Sequence, residues 1–451
     1  MFVYETLGYK QKLEKDYDVK IFTNNINFNC LNQTEQLLKQ DMFKEVKVRL
    51  MPDAHAGVGA VIGFTAKMTD KVIPSVVGSD IGCVMFVVNL GKIKLDLENL
   101  DKLIRQRVPL GAMMHDKPIV EFKDLDKILF VRPTKFFLQT IGPIKGRSST
   151  FISQKYNKQL GTLGGGNHFI EIDKDDEDNK YLVIHTGSRL LGNAVSHYYQ
   201  NLAIEQRAGM EDYLLKRKRT VEYYKENNKR TEIQTKLKEI DKNYKDAKRN
   251  LKIPEDLCYL EGSCRDFYLH DMELCQEYAK LNRETIAKTI INCINELMGY
   301  NINIESSEHY HTIHNYIDFE DNIIRKGAVR AKENTKLIIP MNMRDGSLIC
   351  MGKGNPDWNY SAPHGAGRLM SRGDAKAEIK LEDFEKSMEG IYSSTVNRYT
   401  LDESPFAYKP MDEIIENIKD SVDIVKIIKP IYNLKGTHEE EKLYCLAKNK
   451  K

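Results

Sequence analysis

A carboxylate and a thiol three residues apart, Asp80 and Cys83 in Gly78-Ser-Asp-Ile-Gly-Cys83, lie between two apolar, β-branched runs, Val72–Val77 and Val84–Val88. On a Gly-lined turn between buried strands such a pair does little for packing, and an unpaired buried carboxylate is costly. It suits a divalent metal, which itself draws the proton off a thiol. Three histidines have similar settings: His168 in Gly164-Gly-Gly-Asn-His-Phe-Ile, His185 in Val183-Ile-His-Thr-Gly-Ser-Arg189, and His314 in Thr312-Ile-His-Asn-Tyr. Each alone also reads as a hydrogen-bonded core histidine. Together, a thiolate, a carboxylate and several imidazoles could hold two ions, with the sulfur or a carboxylate oxygen bridging. That donor set suits Mn, Fe, Co or Zn and is poor for Mg or Ca.

His364, in Ser361-Ala-Pro-His-Gly-Ala-Gly-Arg368, has a different character. Small neighbours let a ligand approach closely, Gly365, Ala366 and Gly367 can donate backbone hydrogen bonds to phosphate, and Arg368 offers a bidentate fork for the same anion. A neutral imidazole is a competent nucleophile towards phosphorus. The loop Met51-Pro-Asp-Ala-His55-Ala-Gly-Val-Gly59 carries a further Asp/His pair, which could support the site or simply make a turn.

The elements that must position these groups follow from periodicity. A short strand and an amphipathic helix near Thr34–Asp41 are expected first, then Gly turns alternating with strands over 51–90. Residues 95–160 read as helical, ending in basic loops such as Lys145-Gly-Arg-Ser-Ser, and 161–189 as strands. In the first of these, alternation puts His168 with Ile170 and Ile172, and Asn167, Phe169 and Glu171 on the other face. Residues 205–255 turn rich in Lys, Arg, Glu and Tyr, with Lys216-Arg-Lys-Arg219 near the start and Pro254 at the close. This pattern reads as a surface helix or helical hairpin, either a solvated elaboration or an arm that contacts RNA. A long helix over Asp266–Met298 follows, then strands and Gly loops over 324–368, then mainly helices.

The bulk numbers bound the answer. A chain of 451 residues, 41% apolar and 29% charged, can bury a large core. A net charge of +3 excludes a polycation, so any nucleic-acid footprint is local. The eight cysteines contain no CxxC pair, no apolar run reaches 18 residues, and Met1–Lys10 lacks the signal-peptide pattern. These features lead us to expect a cytoplasmic, thiol-reduced, single α+β domain over 1–451, with a basic helical insertion at about 205–255 and no membrane span.

The ordered set MPDAHAGVGAVIG, GSDIGC, LGGGNHFIE, VIHTGSR, IHNYI, RKGA and SAPHGAGR resembles the RtcB family of RNA-splicing and RNA-repair ligases, over roughly 45–436. The resemblance implies mixed sheets around a buried di-metal and GMP cleft. It also implies an activity: GTP and two Mn²⁺ ions, transfer of GMP to a histidine and then to an RNA 3′-phosphate, and joining of the resulting RNA(3′)pp(5′)G end to a 5′-hydroxyl. A 2′,3′-cyclic phosphate is first hydrolysed. Carried over motif by motif, Asp80, Cys83, His168, His185 and His314 would bind manganese with Cys83 bridging, and His364 would carry GMP. Asn167, His168, Phe169, Ile170, Glu171, His314, Asn315, Pro340, Met341, Asn342, Met343, Ser347, His364, Gly365, Ala366 and Gly367 would line the GMP site. Lys435 would reach the guanine, Tyr408 would stack on it, and Arg189 would contact an RNA phosphate. An archease-type activator is a further implied partner, and a monomer is expected.

Two departures stand out. Pro340-Met-Asn-Met-Arg-Asp-Gly-Ser347 replaces the PGSMG-type turn usual in the family, which bears on guanine specificity, and the basic segment is longer than in many members. Competing readings are a di-metal RNA phosphoesterase, which would leave His364 and Lys435 without a reason, an enzyme that caps RNA 3′ ends without sealing, and an inactive RNA-binding relative.

Overall fold

The computed structural model describes residues 5–6, 9–10, 17–141 and 154–436; the expected Lys145 loop and Cys445 lie outside them. With strands numbered in chain order, one seven-stranded sheet runs β12 (Asn315–Asp318), β13 (Ile323–Lys326), β5 (Ile62–Lys67), β4 (Lys47–His55), β3 (Asp18–Ile21), β1 (Glu5–Thr6) and β2 (Tyr9–Lys10). It is mixed, because β3 lies parallel to both β4 and β1. The second runs β11 (His309–Ile313), β7 (Val84–Gly91), β9 (Lys180–Thr186), β8 (Phe169–Lys174), β18 (Val422–Lys435), β16 (Gly346–Gly352) and β15 (Lys336–Asn342). Here every neighbouring pair is antiparallel, so of the two large sheets the first is mixed and the second is not. This sheet curls until its edges meet, the Ile338 amide donating to Thr312 Oγ1 at 3.2 Å. Two two-stranded ladders complete the β structure of the described residues: β6 (Lys71–Val72) with β10 (Leu260–Glu261), and β14 (Ala328–Arg330) with β17 (Ser361–Pro363).

The long helix, Gly262–Met298, ties the molecule together. At 1.5 Å per residue its 37 residues span about 55 Å. Its first half buries Cys264, Phe267, Tyr268, Met272, Cys275 and Tyr278 in a core shared with the first sheet. Its second half buries Ile286, Ile290, Ile291 and Ile294 against Phe86, Ile170, Ile184 and Leu434 of the second. One continuous helix thus serves both cores.

Several local expectations fail for identifiable reasons. Val72–Val77 is not a strand: Pro74, with its fixed φ, starts a one-turn helix over Pro74–Val77 after the two-residue β6. The first helix is Phe28–Leu38, beginning six residues before the expected Thr34 because Asn27 caps it by accepting from the Cys30 amide. Among the described residues of 95–160 only Leu97–Arg107, Lys135–Ile141 and residues 154–157 are helical, with turns over most of the stretch between the first two. The described residues that close the chain are not mainly helical either, since β18 is a 14-residue strand at the heart of the second sheet. Residues 205–255 form two helices, Met210–Glu226 and Ile233–Arg249, which pack on each other through Tyr213 stacked on Tyr244 at 4.2 Å. The seven described cysteines are buried and free, and no helix among the described residues is long and apolar enough to cross a membrane.

Candidate active site

Strand order explains why residues far apart in sequence meet. Strands β11, β7, β9 and β8 are neighbours, and each delivers a donor at the same end of the sheet. Cys83 enters β7 and accepts from the His314 amide at 3.1 Å, just past the end of β11. His185 lies on β9 opposite Met85 and Phe169, and His168 immediately precedes β8. Asp80 sits on the turn before Cys83, where its Oδ1 accepts from the Ser188 amide at 3.2 Å. A Cβ at Gly187 would fall 2.3–2.5 Å from the Asp80 carboxylate, so only glycine fits there. Arg283, fully buried on the long helix, donates to Gly82 O at 3.1 Å and places a cation beneath the Asp80–Cys83 turn.

The five candidate donors form two groups that share one atom. Cys83, His185 and His314 offer ligand atoms within 4.8 Å of one another, and so do Asp80, Cys83 and His168. The Cys83 sulfur is 3.2 Å from His185 Nε2 and 3.6 Å from His168 Nε2; His168 Nε2 lies 2.9 Å from Asp80 Oδ2, and His185 Nε2 lies 3.3 Å from His314 Nε2. Each of the first two imidazoles has its other nitrogen 3.0 Å from a backbone carbonyl, Leu163 O for His168 and Asn167 O for His185. These carbonyls hold a proton on Nδ1 and turn Nε2 of both rings inwards, the arrangement metal-binding histidines adopt. Burial and neighbouring imidazoles hold His185 and His314 well below the usual histidine range, so both are neutral. For Asp80, burial acts upward, but the His168 hydrogen bond and charge outweigh it and keep the carboxyl low. Burial, and then Asp80, push the Cys83 thiol up, so metal binding would release its proton. The donor set fits divalent metal.

Beside this cluster lies a cleft lined by thirteen of the residues expected around GMP: Asn167, Phe169, Glu171, Pro340, Met341, Asn342, Met343, His364, Gly365, Ala366, Gly367, Tyr408 and Lys435. His168 and His314 lie in the donor cluster instead. Ile170 does not reach the cleft but fills the core, Ser347 is buried on β16 opposite Pro340, and Asn315 supports the Asp80 turn, its carbonyl accepting from the Gly82 amide at 2.8 Å and its Nδ2 donating to Asp80 O at 3.4 Å. In the Pro340–Ser347 departure, Asn342 Oδ1 accepts the Arg344 and Asp345 amides at 3.0 Å and closes the β15–β16 turn. The side chain that breaks the family pattern therefore builds its own turn. Arg189, at a neighbouring cavity with Asp80, donates to Thr162 Oγ1 at 3.2 Å and Gly111 O at 3.0 Å.

His364 stands where cleft and donor cluster meet, its ring centre 4.8 Å from that of His314. Its Nδ1 lies 2.6 Å from Asp53 Oδ2, and the same oxygen accepts the His364 amide at 3.1 Å. Asp53 thereby holds the proton on Nδ1 and leaves the Nε2 lone pair for chemistry. The Asp53/His55 loop is thus a strand, β4, that orients His364. At the far end of the cleft, Glu403 Oε2 accepts from Lys435 Nζ at 2.7 Å and Tyr408 Oη at 2.9 Å, while its Oε1 accepts from Arg372 at 2.6 Å. Against the upward pull of burial, Lys435 and Arg372 hold this carboxyl at about 2. Arg372, Glu403, Asn433 and Arg283 were not singled out from the sequence, where each is a lone polar residue without a pattern.

Behind the cleft Asp173 has both carboxyl oxygens buried without hydrogen-bond partners, and burial together with Glu171 pushes it well above the usual range. Unfolded, it ionises near 4, roughly the usual aspartate value. Its folded pKa is raised, so it favours folding fully below that value and loses stability as pH climbs towards the folded value. Asp173→Asn, neutral at every pH and able to donate to Glu171, should raise the melting temperature by a few degrees at pH 8 and leave it unchanged at pH 4. Thermal melts at the two pH values check this; an equal gain at both would show that the proton is not the cause.

Comparison with known proteins supports a single family. A family model described as tRNA-splicing ligase RtcB matches residues 36–436. The RNA-splicing ligase RtcB of Escherichia coli K12 is 28% identical, with 95% of this chain and 100% of the relative covered. The tRNA-splicing ligase RtcB of Aeropyrum pernix is 27% identical over 86% of this chain and 87% of the relative, and that of Archaeoglobus fulgidus is 27% identical over 82% and 83%.

Proposed function

Since the chain belongs to the RtcB family and is an RNA ligase, we propose that it joins RNA 3′-phosphate or 2′,3′-cyclic phosphate ends to 5′-hydroxyl ends, using GTP and a GMP–His364 intermediate. The observation that carries this reading is the placement of His364: held through Nδ1 by Asp53 at 2.6 Å, it lines a cleft on one side and packs on the donor cluster at His314 on the other. Its Nε2 attacks the α-phosphorus of GTP, the bond to the bridging oxygen breaks, and pyrophosphate leaves. No proton need leave the ring, because the Nδ1 proton stays on His364, hydrogen-bonded to Asp53. An oxygen of the RNA 3′-phosphate then displaces the imidazole, giving RNA(3′)pp(5′)G. Last, the 5′-hydroxyl oxygen attacks the 3′-phosphate phosphorus, its proton is lost, and GMP departs.

Two Mn²⁺ ions, held by Asp80, Cys83 and His168 and by Cys83, His185 and His314, would neutralise phosphate charge and ease ionisation of the 5′-hydroxyl. The protein's own contribution is placement. Lys435, Glu403 and Tyr408 form a fixed polar wall for the guanine end, with Phe169 under the Lys435 ammonium at 5.1 Å. Gly365, Ala366 and Gly367 supply backbone donors near the phosphate. The test is an assay with both RNA ends present, GTP and Mn²⁺: a sealed product is expected. Accumulation of RNA(3′)pp(5′)G without sealing would make the protein a 3′-end capping enzyme, and release of 3′-phosphate alone a phosphoesterase.

A further inference from the structure

The hairpin Met210–Glu226/Ile233–Arg249 takes no part in the chemistry above, yet one face of its second helix is set apart. Lys238, Lys242, Lys245 and Arg249 follow at intervals of four, three and four residues, so they share one side of the helix, and all four are exposed. The row is about 16 Å long at 1.5 Å per residue. The carboxylates of this helix are already engaged: Glu239 by Lys236 at 3.1 Å, Asp241 by Arg217, and Asp246 by Arg249 at 3.9 Å. Among the described residues, Lys238, Lys242 and Lys245 have neither an ion-pair nor a hydrogen-bond partner.

The row is held rigidly. Tyr213 stacks on Tyr244 and donates to Asp241 at 3.0 Å, and Lys248 reaches back to Glu205 at 3.8 Å. Glu205 belongs to the helix Arg189–Arg207, which begins at the candidate active site and ends at the hairpin, about 28 Å away by its 19 residues. A line of ammonium groups without ion-pair partners and with no aromatic residue among them is suited to phosphates and not to bases, because reading or stacking bases requires planar or aromatic partners.

We propose that this row of lysines binds the ribose–phosphate backbone of the RNA substrate, away from its reacting ends and independently of sequence. The inference rests on the RNA-ligase reading and deepens it by giving the substrate a second foothold, beyond the far end of a helix about 28 Å long that starts at the candidate active site. The first observable consequence is a length requirement. An RNA of about 30 nucleotides spans site and hairpin, whereas one of about 4, at roughly the 3.4 Å per nucleotide of a duplex strand, reaches only about 14 Å and falls short.

The test compares the unmodified full chain with Lys238→Gln/Lys242→Gln/Lys245→Gln, using 3′-phosphorylated RNAs of these two lengths across a salt series. A control, Lys216→Gln/Lys218→Gln/Lys236→Gln, removes the same charge from lysines already paired with Asp212, Glu222 and Glu239. Each phosphate contact on a single strand contributes about 0.7 to the slope of log affinity against log salt, so the row variant should lower the slope for the long RNA by about 2 and weaken binding about tenfold or more. The short RNA, the control variant, GMP-adduct formation and the melting temperature should be unaffected. An unchanged slope for the long RNA, or an equal loss in row variant and control, overturns the proposal, the second outcome by reducing the row to net charge. Absence of a GMP adduct in the unmodified protein would instead refute the ligase mechanism and leave the slopes to be read on their own.

Discussion

His364→Ala is expected to abolish covalent guanylylation and to reduce sealing of a 3′-phosphate end by on the order of 10⁴-fold or more, the scale on which loss of a nucleophile acts. The side chain is largely buried and has one nitrogen committed to Asp53 at 2.6 Å, which leaves a single nitrogen of this ring for the attack. The same variant should still join a pre-formed RNA(3′)pp(5′)G end to a 5′-hydroxyl, because that step draws on the donor cluster and not on the imidazole. Single-turnover assays on the two substrates separate the steps. Equal loss on both would mean that His364 holds the cluster together and is not the nucleophile.

Cys83→Ala should cost more than loss of any single histidine. Its sulfur is the one atom common to both donor groups, so removing it leaves two donors in each. Metal analysis after dialysis should show both ions lost, against one for His168→Ala or His314→Ala. Guanylylation should fall about a thousandfold or more, given that metal-ion charge stabilisation is worth several kcal/mol. Retention of two tightly bound ions by the alanine variant would remove the bridging role and leave Cys83 as a buried core thiol.

The donor residues were legible because each stands beside glycine or β-branched neighbours where packing alone gives no reason for a polar group. The geometry behind them was not, because it depends on strand order: His314 meets Cys83 only because β11 pairs with β7, and Lys435 reaches the cleft only because β18 lies beside β8, Lys435 opposite Phe169. β18 itself was misread as helical, since its lysines and Pro430 blur the alternation. The proline sits next to a register shift between Pro430 and Tyr432, where a strand tolerates a missing amide. Asp53 was seen only as one half of a pair with His55, and its true partner, His364, is 311 residues away. Glu403 and Arg372 carried no signal, because a lone charge in a sequence shows nothing of the groups that the fold brings to it, here Lys435 and Tyr408.

Intact-mass measurement of the protein after incubation with GTP and Mn²⁺, followed by peptide mapping, tests the central claim most directly. A gain equal to one GMP per chain, located on the peptide containing His364 and absent in His364→Ala, is the expected result. An unmodified mass, or a GMP attached to a different residue, would contradict the account.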